Sequence, residues 1–420
     1  LGATANALNQ GDRWIMTIAV IPMSKDLSWN MVEKGWILSA FALGYILMQI
    51  PSGWIASRAP PMVLLVGAVL TWSLVTALTP AAALAGVPAL IGCRAVLGLA
   101  EGICLPAVYQ LFALRLPAHL LSRGFAALNA GGAFGYVLTA VVCSSMSEWS
   151  SMFYRFGSIG VIWFVLSLVV CAESPQLLAI GGTSSAPAQL EDSCQTSKSA
   201  RTGNSFLSKF DAEMREKDVT FWAQLATSAP VLAICAAHFG NNWTVYMLTA
   251  WMPTYLHEVA GVPMGALWIS ALPLLAQGLV GLAVGCLADA AIAQRACSVS
   301  TVRFGCTGVS LLGQALCVLA LAVADSQRSA VGLLILAFAL TAFGSVGFQA
   351  NHADVTKGYA GFTFAVSNTV ATIPGICAGP VTAAIVASYG SWLPVFVLAA
   401  SVNVVCMCLY LALAKTDRIL

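Results

Sequence analysis

Twelve membrane-crossing helices in two groups of six are what this sequence predicts, and three observations carry the prediction. Of 420 residues, 59% are hydrophobic and only 9% charged, where a soluble domain carries about 25% charged residues. Apolar runs of about twenty residues, the length that crosses a bilayer as a helix, recur from one end of the chain to the other. One long polar segment interrupts them midway, with six runs on either side.

Pro, Gly and charge breaks bound the runs. Before the polar segment they are 1–22, 33–56, 61–80, 87–113, 121–146 and 152–171. After it they are 229–255, 265–288, 300–324, 329–350, 359–387 and 391–414. The chain therefore divides into an N-terminal six-helix half, 1–171, a linker, 172–228, and a C-terminal six-helix half, 229–420. The linker is rich in Ser, Gly and charge and poor in aromatics, the composition of a flexible cytosolic connection. Within it, FLSKFDAEMREKD is either a short amphipathic helix on the membrane surface or a merely solvated one.

Basic residues test the topology. With both ends cytosolic, that side carries Arg58, Arg115, Arg123, Lys198, Arg201, Lys209, Arg215, Lys217, Arg295, Arg303, Lys357, Lys415 and Arg418. The opposite side carries Lys25, Lys34, Arg155 and Arg328. Thirteen against four is a positive-inside bias. The cysteines lie mostly inside apolar runs with no CxxC pair, so they read as small hydrophobes and not as a metal site. The chain starts at Leu1 inside an apolar run with no Met. The start reads as that of a trimmed fragment, and no targeting segment can be assigned.

The halves echo one another. GWIAS (53–57) follows the second run and GCLAD (285–289) the eighth; SRGFAALN (122–129) opens the fifth and YAGFTFAVSN (359–368) the eleventh. Parallel repeats of six helices place a site at the membrane midplane between the halves.

The charges inside the runs say most about function. IGCRAVLGLAEGICLP (91–106) holds Arg94 and Glu101, seven residues apart. On a helix they differ by about 20° in direction and about 10.5 Å in height, so they share a face. A charge at the bilayer centre costs about 2.5–3.5 kcal/mol even on the lenient insertion scale, so such groups face a cavity or a partner. The same face carries Gly98 and Gly102, which let another backbone come close. Two readings stand: the pair locks helices together, or it forms a site in which Arg94 grips an anion and Glu101 accepts a proton. Arginine suits carboxylate and phosphate because its fork donates two parallel hydrogen bonds.

The first run adds Asp12 and Arg13, which as neighbours point about 100° apart. Arg13 is assigned to the central cavity, and Asp12 to neutralising an arginine or carrying a proton. The seventh run, AAHFGNNWTVYMLTAWMPTYL, holds His238, Asn241, Asn242 and Tyr246. The last three offer uncharged hydrogen bonding; His238 reads as a pH-sensitive gate or a packing histidine. Asn242-Trp243-Thr244 fits a glycosylation sequon but lies at membrane depth. In NHADVTKGYAG (351–361), His352 and Asp354 are two ligands without a third, a poor metal site. That segment reads as a loop with gating contacts.

Five stretches together resemble the anion:cation symporter family of the major facilitator superfamily: GYILMQIPSGWIASR, RAVLGLAEGICLPA, MFYRFGSIGVIW, HFGNNWTVYMLTAWMPTYL and NHADVTKGYAGFTFAVSNT. The family includes vesicular glutamate transporters, sialin and plant plastid phosphate transporters. The resemblance implies that Arg13 and Arg94 bind the substrate anion and that Glu101 couples transport to protonation. It implies that Asp12 matches the first-helix aspartate of proton-driven members, and that Tyr45 and Tyr246 match aromatic hydroxyls near the substrate. Departures from the glutamate-transporter pattern occur at Asn241, where those members carry arginine, and at Leu38, where they carry histidine; both argue against glutamate. WMPTYL and SVSTVR (298–303) are closer to the plant phosphate branch, while Ser57-Arg58-Ala59-Pro60-Pro61 departs from the usual aspartate-and-basic loop.

The resulting expectation is a secondary transporter of a small anion, inorganic phosphate first, coupled to H+ or Na+. An organic anion such as ascorbate, a sugar acid, glutamate or a nucleotide is the alternative. No enzyme is expected, because the four histidines are scattered and no nucleotide loop occurs. No cofactor, metal or nucleic-acid partner is expected, and the protein is expected to be a monomer in the bilayer with both ends cytosolic or stromal.

Overall fold

The computed structural model describes residues 1–115, 118–173, 219–356 and 360–417. Among the described residues there is helix and no strand. The N-terminal half consists of α1 (Gly2–Asp26), α2 (Met31–Arg58), α3 (Pro61–Ala85), α4 (Val87–Glu101), α5 (Cys104–Arg115), α6 (Ala118–Ser144) and α7 (Trp149–Glu173). The C-terminal half begins with a short α8 (Val219–Ala226) and α9 (Ala229–Glu258). A 3-10 turn (Met264–Ala271) leads into α10 (Leu272–Ala293), followed by α11 (Val299–Leu321) and α12 (Gln327–Thr341). A π-helical segment (Ser345–Gln349), α13 (Ala350–Val355), α14 (Ala360–Tyr389) and α15 (Leu393–Leu413) complete it.

Local chemistry sets these boundaries. Asn30 and Glu33 form a reciprocal capping box that opens α2, and Ser326 with Ser329 opens α12 the same way. Proline stands in the first turn of α3, α4, α9, α10 and α15, where its missing N–H has no intrahelical partner to lose. Gly86 separates α3 from α4 at φ 115°, a conformation that a side chain would strain.

Nine described helical stretches are long and apolar enough to cross a membrane, and α8 with α9, bent by 54°, makes a tenth. The two remaining crossings of the twelve-helix fold are α1 and α6. Asp12, Arg13 and several amides dilute α1, and the apolar part of α6 is only Ala130–Ser144. Three predicted runs are interrupted helices. The run 87–113 breaks at Gly102–Ile103, between α4 and α5. The eighth starts with the 3-10 turn. The tenth carries the π-segment, where Gly347 leaves helical geometry at ψ −110°. The backbone freed there is satisfied by Arg303, whose Nη1 donates to the Val346 carbonyl at 2.9 Å.

Both halves use one packing scheme. In the first, α1 lies on α6, α2 on α4 and α3 on α7; in the second, α9 lies on α14, α10 on α12 and α11 on α15. The halves meet where α2 packs on α14, α6 on the 3-10 turn and α1 on α9. The sequence echoes fall on equivalent helices, α2 with α10 and α6 with α14. Of the predicted linker, residues 174–218 lie outside the described residues, including FLSKFDAEMREKD; its described part contains α8.

Candidate functional site

A cavity of about 760 Å³, including its open mouth, lies between the halves. Arg13, Trp14 and Thr17 of α1 line it, with Leu38, Ser39, Phe41, Ala42 and Tyr45 of α2, Arg94 of α4 and Tyr136 of α6. The C-terminal half contributes Tyr246, Thr249 and Ala250 of α9 and Gly375 and Gly379 of α14. Both predicted arginines therefore line one cavity, with both predicted tyrosines.

The glycine stripe of α4 explains how Arg94 reaches it. A Cβ on Gly98 would overlap the Phe41 carbonyl, and one on Gly102 would come within 2.9 Å of the Met48 Cβ. Gly44 of α2 packs equally closely on the Ala95 carbonyl. The two backbones touch because both sides lack side chains there, which brings Arg94 beside the aromatic face of α2. Across the cavity, Gly375 brings α14 up to the Tyr246 ring.

The charged core is asymmetric. Arg13 Nε donates to Glu101 Oε2 at 2.7 Å; the arginine side chain is 23% exposed and the glutamate fully enclosed. The Arg13 guanidinium also lies 4.6 Å from the Phe41 ring centroid and 4.8 Å from that of Tyr45. The Arg94 guanidinium lies 5.7 Å from the same Phe41 ring. One aromatic face thus serves two cations, an arrangement favoured by the ring quadrupole. It helps hold two like charges near one another, beside the buried carboxylates of Glu101 and Asp12.

Arg94 is buried, and its Nε has no protein partner. Glu101 Oε1 and Asp12 Oδ1 are likewise buried without one. Leaving a buried charged group unpaired costs more than an ordinary lost hydrogen bond. An anion entering the cavity would meet a guanidinium with donor capacity in reserve. Glu101 is not on the cavity wall; it reaches the cavity only through Arg13. Asp12 is buried behind the wall in the same helix.

The structure does not bring Asn241 to the cavity. Its carbonyl accepts from Gln314 Nε2 at 2.9 Å, inside the C-terminal half. Asn242 donates to the Ala371 carbonyl at 3.0 Å. His238 is also away from the cavity, 3.1 Å from Ser367 Oγ through its Nδ1. Asp354 pairs with Arg303 Nε at 2.6 Å, and among the described residues no group of three or more His, Cys, Asp or Glu is placed to hold a metal ion.

Sequence reading missed Trp14, Phe41 and Tyr136. Phe41 and Tyr45, four residues apart, stack at 5.6 Å, and that spacing was a usable signal for a continuous aromatic face. It also missed the contacts that tie the halves together. Lys34 of α2 pairs with Glu258 of α9 at 3.1 Å. Gln49 of α2 donates to Thr372 Oγ1 at 3.1 Å and accepts from Asn368 Nδ2 at 3.0 Å, both on α14.

Comparison with known proteins places this architecture. The chain matches the Major Facilitator Superfamily over residues 2–378. It is 33% identical over 389 residues to sialin of Ovis aries, covering 90% of this chain and 75% of that protein. It is 30% identical to the sodium-dependent phosphate transport protein 1, chloroplastic, of Arabidopsis thaliana, covering 94% of this chain and 74% of that one. Among solved structures, a bacterial homolog of the human lysosomal transporter Spinster superposes with a TM-score of 0.73 over 99% of this chain and 96% of its own, at 15% identity.

Proposed function

The chain belongs to the anion:cation symporter family of the major facilitator superfamily, and from that premise we propose that it carries a small anion across the membrane by alternating access, coupled to a cation. It is a multi-pass membrane transporter and not an enzyme. The observation that carries the anion reading is Arg94: buried, facing the cavity, with Nε unpartnered and an aromatic ring at its flank. Arg94 grips the anion, and Arg13 holds Glu101 until the anion competes for it. Release of Glu101 then favours its protonation, so anion and proton cross together; such coupling is reciprocal.

Five aromatic side chains line the cavity: Trp14, Phe41, Tyr45, Tyr136 and Tyr246. They favour an organic anion, whose carbon frame covers those faces, over inorganic phosphate, which leaves them wet. Phosphate, the first choice of the sequence, stands as the second reading, supported by the name of the Arabidopsis relative. The test is a competition panel in proteoliposomes with phosphate, glutamate, ascorbate, gluconate and ATP, under imposed pH and Na+ gradients. Competition by organic carboxylates alone supports the first reading; competition by phosphate alone replaces it with the second; competition by none of the five removes both readings of the anion. The distribution of lysine and arginine supports placing both chain ends on the cytosolic or stromal side.

A further inference from the structure

Some hydroxyls of the cavity wall have already given their proton away, and on the organic-anion reading that decides which substrate groups they can meet. A hydroxyl has one proton to give and two lone pairs to receive with. Where a neighbour inside the protein takes the proton, only lone pairs are left for a substrate.

Tyr136 of α6 is such a group. Its ring lines the cavity, and its hydroxyl donates to Gln10 Oε1 of α1 at 2.8 Å. The ring is held edge-on against Trp14, with centroids 5.5 Å apart and planes at 81°. Gln10 stands behind the wall, outside the set of cavity-lining residues.

The close approach of α1 and α6 puts Gln10 there. A Cβ on Gly131 would overlap the Ala3 carbonyl, and one on Gly135 the Ala7 carbonyl. Gly132, one turn before Tyr136, leaves room for the Gln10 stem: a Cβ there would lie 3.3 Å from Gln10 Cγ and 2.7 Å from Asn6 Nδ2. Asn6 Nδ2 donates to the Leu128 carbonyl at 2.8 Å, which fixes the register of the two helices. Leu128, Gly132 and Tyr136 follow one another at intervals of four residues, as do Asn6 and Gln10. Residues so spaced are neighbours on a helix face, so the two amides run along one face of α6.

Thr17 repeats the arrangement within α1. It lines the cavity, and its hydroxyl donates to the Trp14 carbonyl at 2.8 Å, a local bond that uses its only proton. Arg13 neighbours Tyr136, but its Nε is spent on Glu101 and its guanidinium lies over the rings of Phe41 and Tyr45. The N-terminal wall thus offers N–H donors at its arginines and bare oxygen acceptors at Tyr136 and Thr17. A carboxylate suits the first. A keto oxygen or a second carboxylate placed against the acceptors would set lone pairs against lone pairs, whereas a substrate hydroxyl there donates to them.

We propose that Gln10 is a specificity-determining positioning residue: by taking the Tyr136 proton it makes the phenol oxygen an acceptor, and the cavity thereby selects a monocarboxylate whose carbon frame carries hydroxyl groups.

The test uses acids that share a carbon frame and differ in one hydroxyl exchanged for a keto oxygen: mandelate with benzoylformate, next to the carboxylate, and gluconate with 5-ketogluconate, far from it. Dissociation constants are read by titration calorimetry on the full chain in lipid nanodiscs, which needs no transport. An unpaired buried acceptor is costly, so in at least one pair the hydroxy acid is expected to bind roughly 5- to 100-fold more tightly than the keto acid. Gln10→Met keeps the length of the side chain and removes the strong acceptor, so the Tyr136 proton is free to turn to the substrate. The keto acid of that pair is then expected to gain affinity and close the gap, a gain that simple loss of packing would not produce. Should Gln10→Met not fold, Tyr136→Phe, which removes the acceptor itself, is expected to close the gap as well. Equal affinities within both pairs in the unsubstituted protein overturn the inference and leave the organic-anion reading standing. A gap that these variants leave unchanged also overturns it. Failure of all four acids to bind overturns the inference together with that reading.

Discussion

The two halves build the same helix scheme and line the same cavity, yet one wall is charged and the other neutral. The N-terminal wall carries Arg13 and Arg94, backed by Glu101 and Asp12. The C-terminal wall offers Tyr246, Thr249, Ala250, Gly375 and Gly379. The polar groups of the second half that sequence made conspicuous are bonded among themselves: Asn241 to Gln314, His238 through Ser367 to His352. The difference separates two jobs. On the proposed function, the first half would hold the anion and its coupled carboxylate, and the second would present the surface that slides and closes. With every cavity charge on one side, the strong contacts of a bound anion would stay intact while the halves rock, so movement would not need to break them.

Substitutions can break this division, and the largest effects belong on the charged wall. Arg94→Lys keeps the charge but loses the planar fork. A hydrogen bond to a charged group is worth about 1.5–3 kcal/mol, so uptake should fall roughly 10- to 100-fold with normal delivery to the membrane. Radiotracer uptake normalised to surface protein checks it; near-normal uptake makes Arg94 a structural point charge. Arg13→Lys should lose a similar amount, because its Nε bond to Glu101 goes with the fork.

Phe41→Leu comes next. It removes the ring that both guanidinium groups share, while keeping bulk. Cation–π contacts contribute about 0.5–2 kcal/mol, so apparent affinity should weaken about 3- to 30-fold. A concentration series for uptake reads this directly. An unchanged KM would show that the arginines are positioned by other contacts.

How much of this was legible in the sequence differs by kind of residue. Arg13, Arg94 and Glu101 stood out because charge inside an apolar run has few explanations. Their pairing did not: helix phase put Arg94 and Glu101 on one face, but only the approach of α1 shows that Glu101 bonds to Arg13. Phe41, Trp14 and Tyr136 were hidden because aromatics are ordinary in membrane helices. Asn241 misled because a polar residue's register does not reveal which neighbour, here Gln314, will meet it. The twelve runs were readable from length and apolarity, whereas the break at Gly102 and the π-segment at Gly347 are set by tertiary contacts, Gly347 against Thr307 and Arg303 on the freed carbonyl.

The neutral wall should be forgiving. Thr249→Ala removes a hydroxyl from the C-terminal side and should change uptake by about tenfold at most, since a neutral hydrogen bond contributes about 0.5–1.5 kcal/mol. A loss as large as that of Arg94→Lys would erase the distinction between the walls. The smallest effect is expected for Lys34→Ala. Its pair with Glu258 joins the halves but is partly exposed, and such pairs contribute up to about 1 kcal/mol. Exchange rates should shift slightly, and the shift should shrink as salt is raised.

The central claim is that Glu101, held by Arg13 until an anion arrives, is the group that couples transport to protons. Glu101→Gln imitates its protonated form. The decisive measurement is counterflow beside pH-driven uptake in the same vesicles. Glu101→Gln is predicted to retain counterflow and to lose accumulation against a gradient. Full pH-driven accumulation by Glu101→Gln would contradict the claim and move the coupling role to Asp12; loss of counterflow as well would mean that Glu101 only holds α1 against α4.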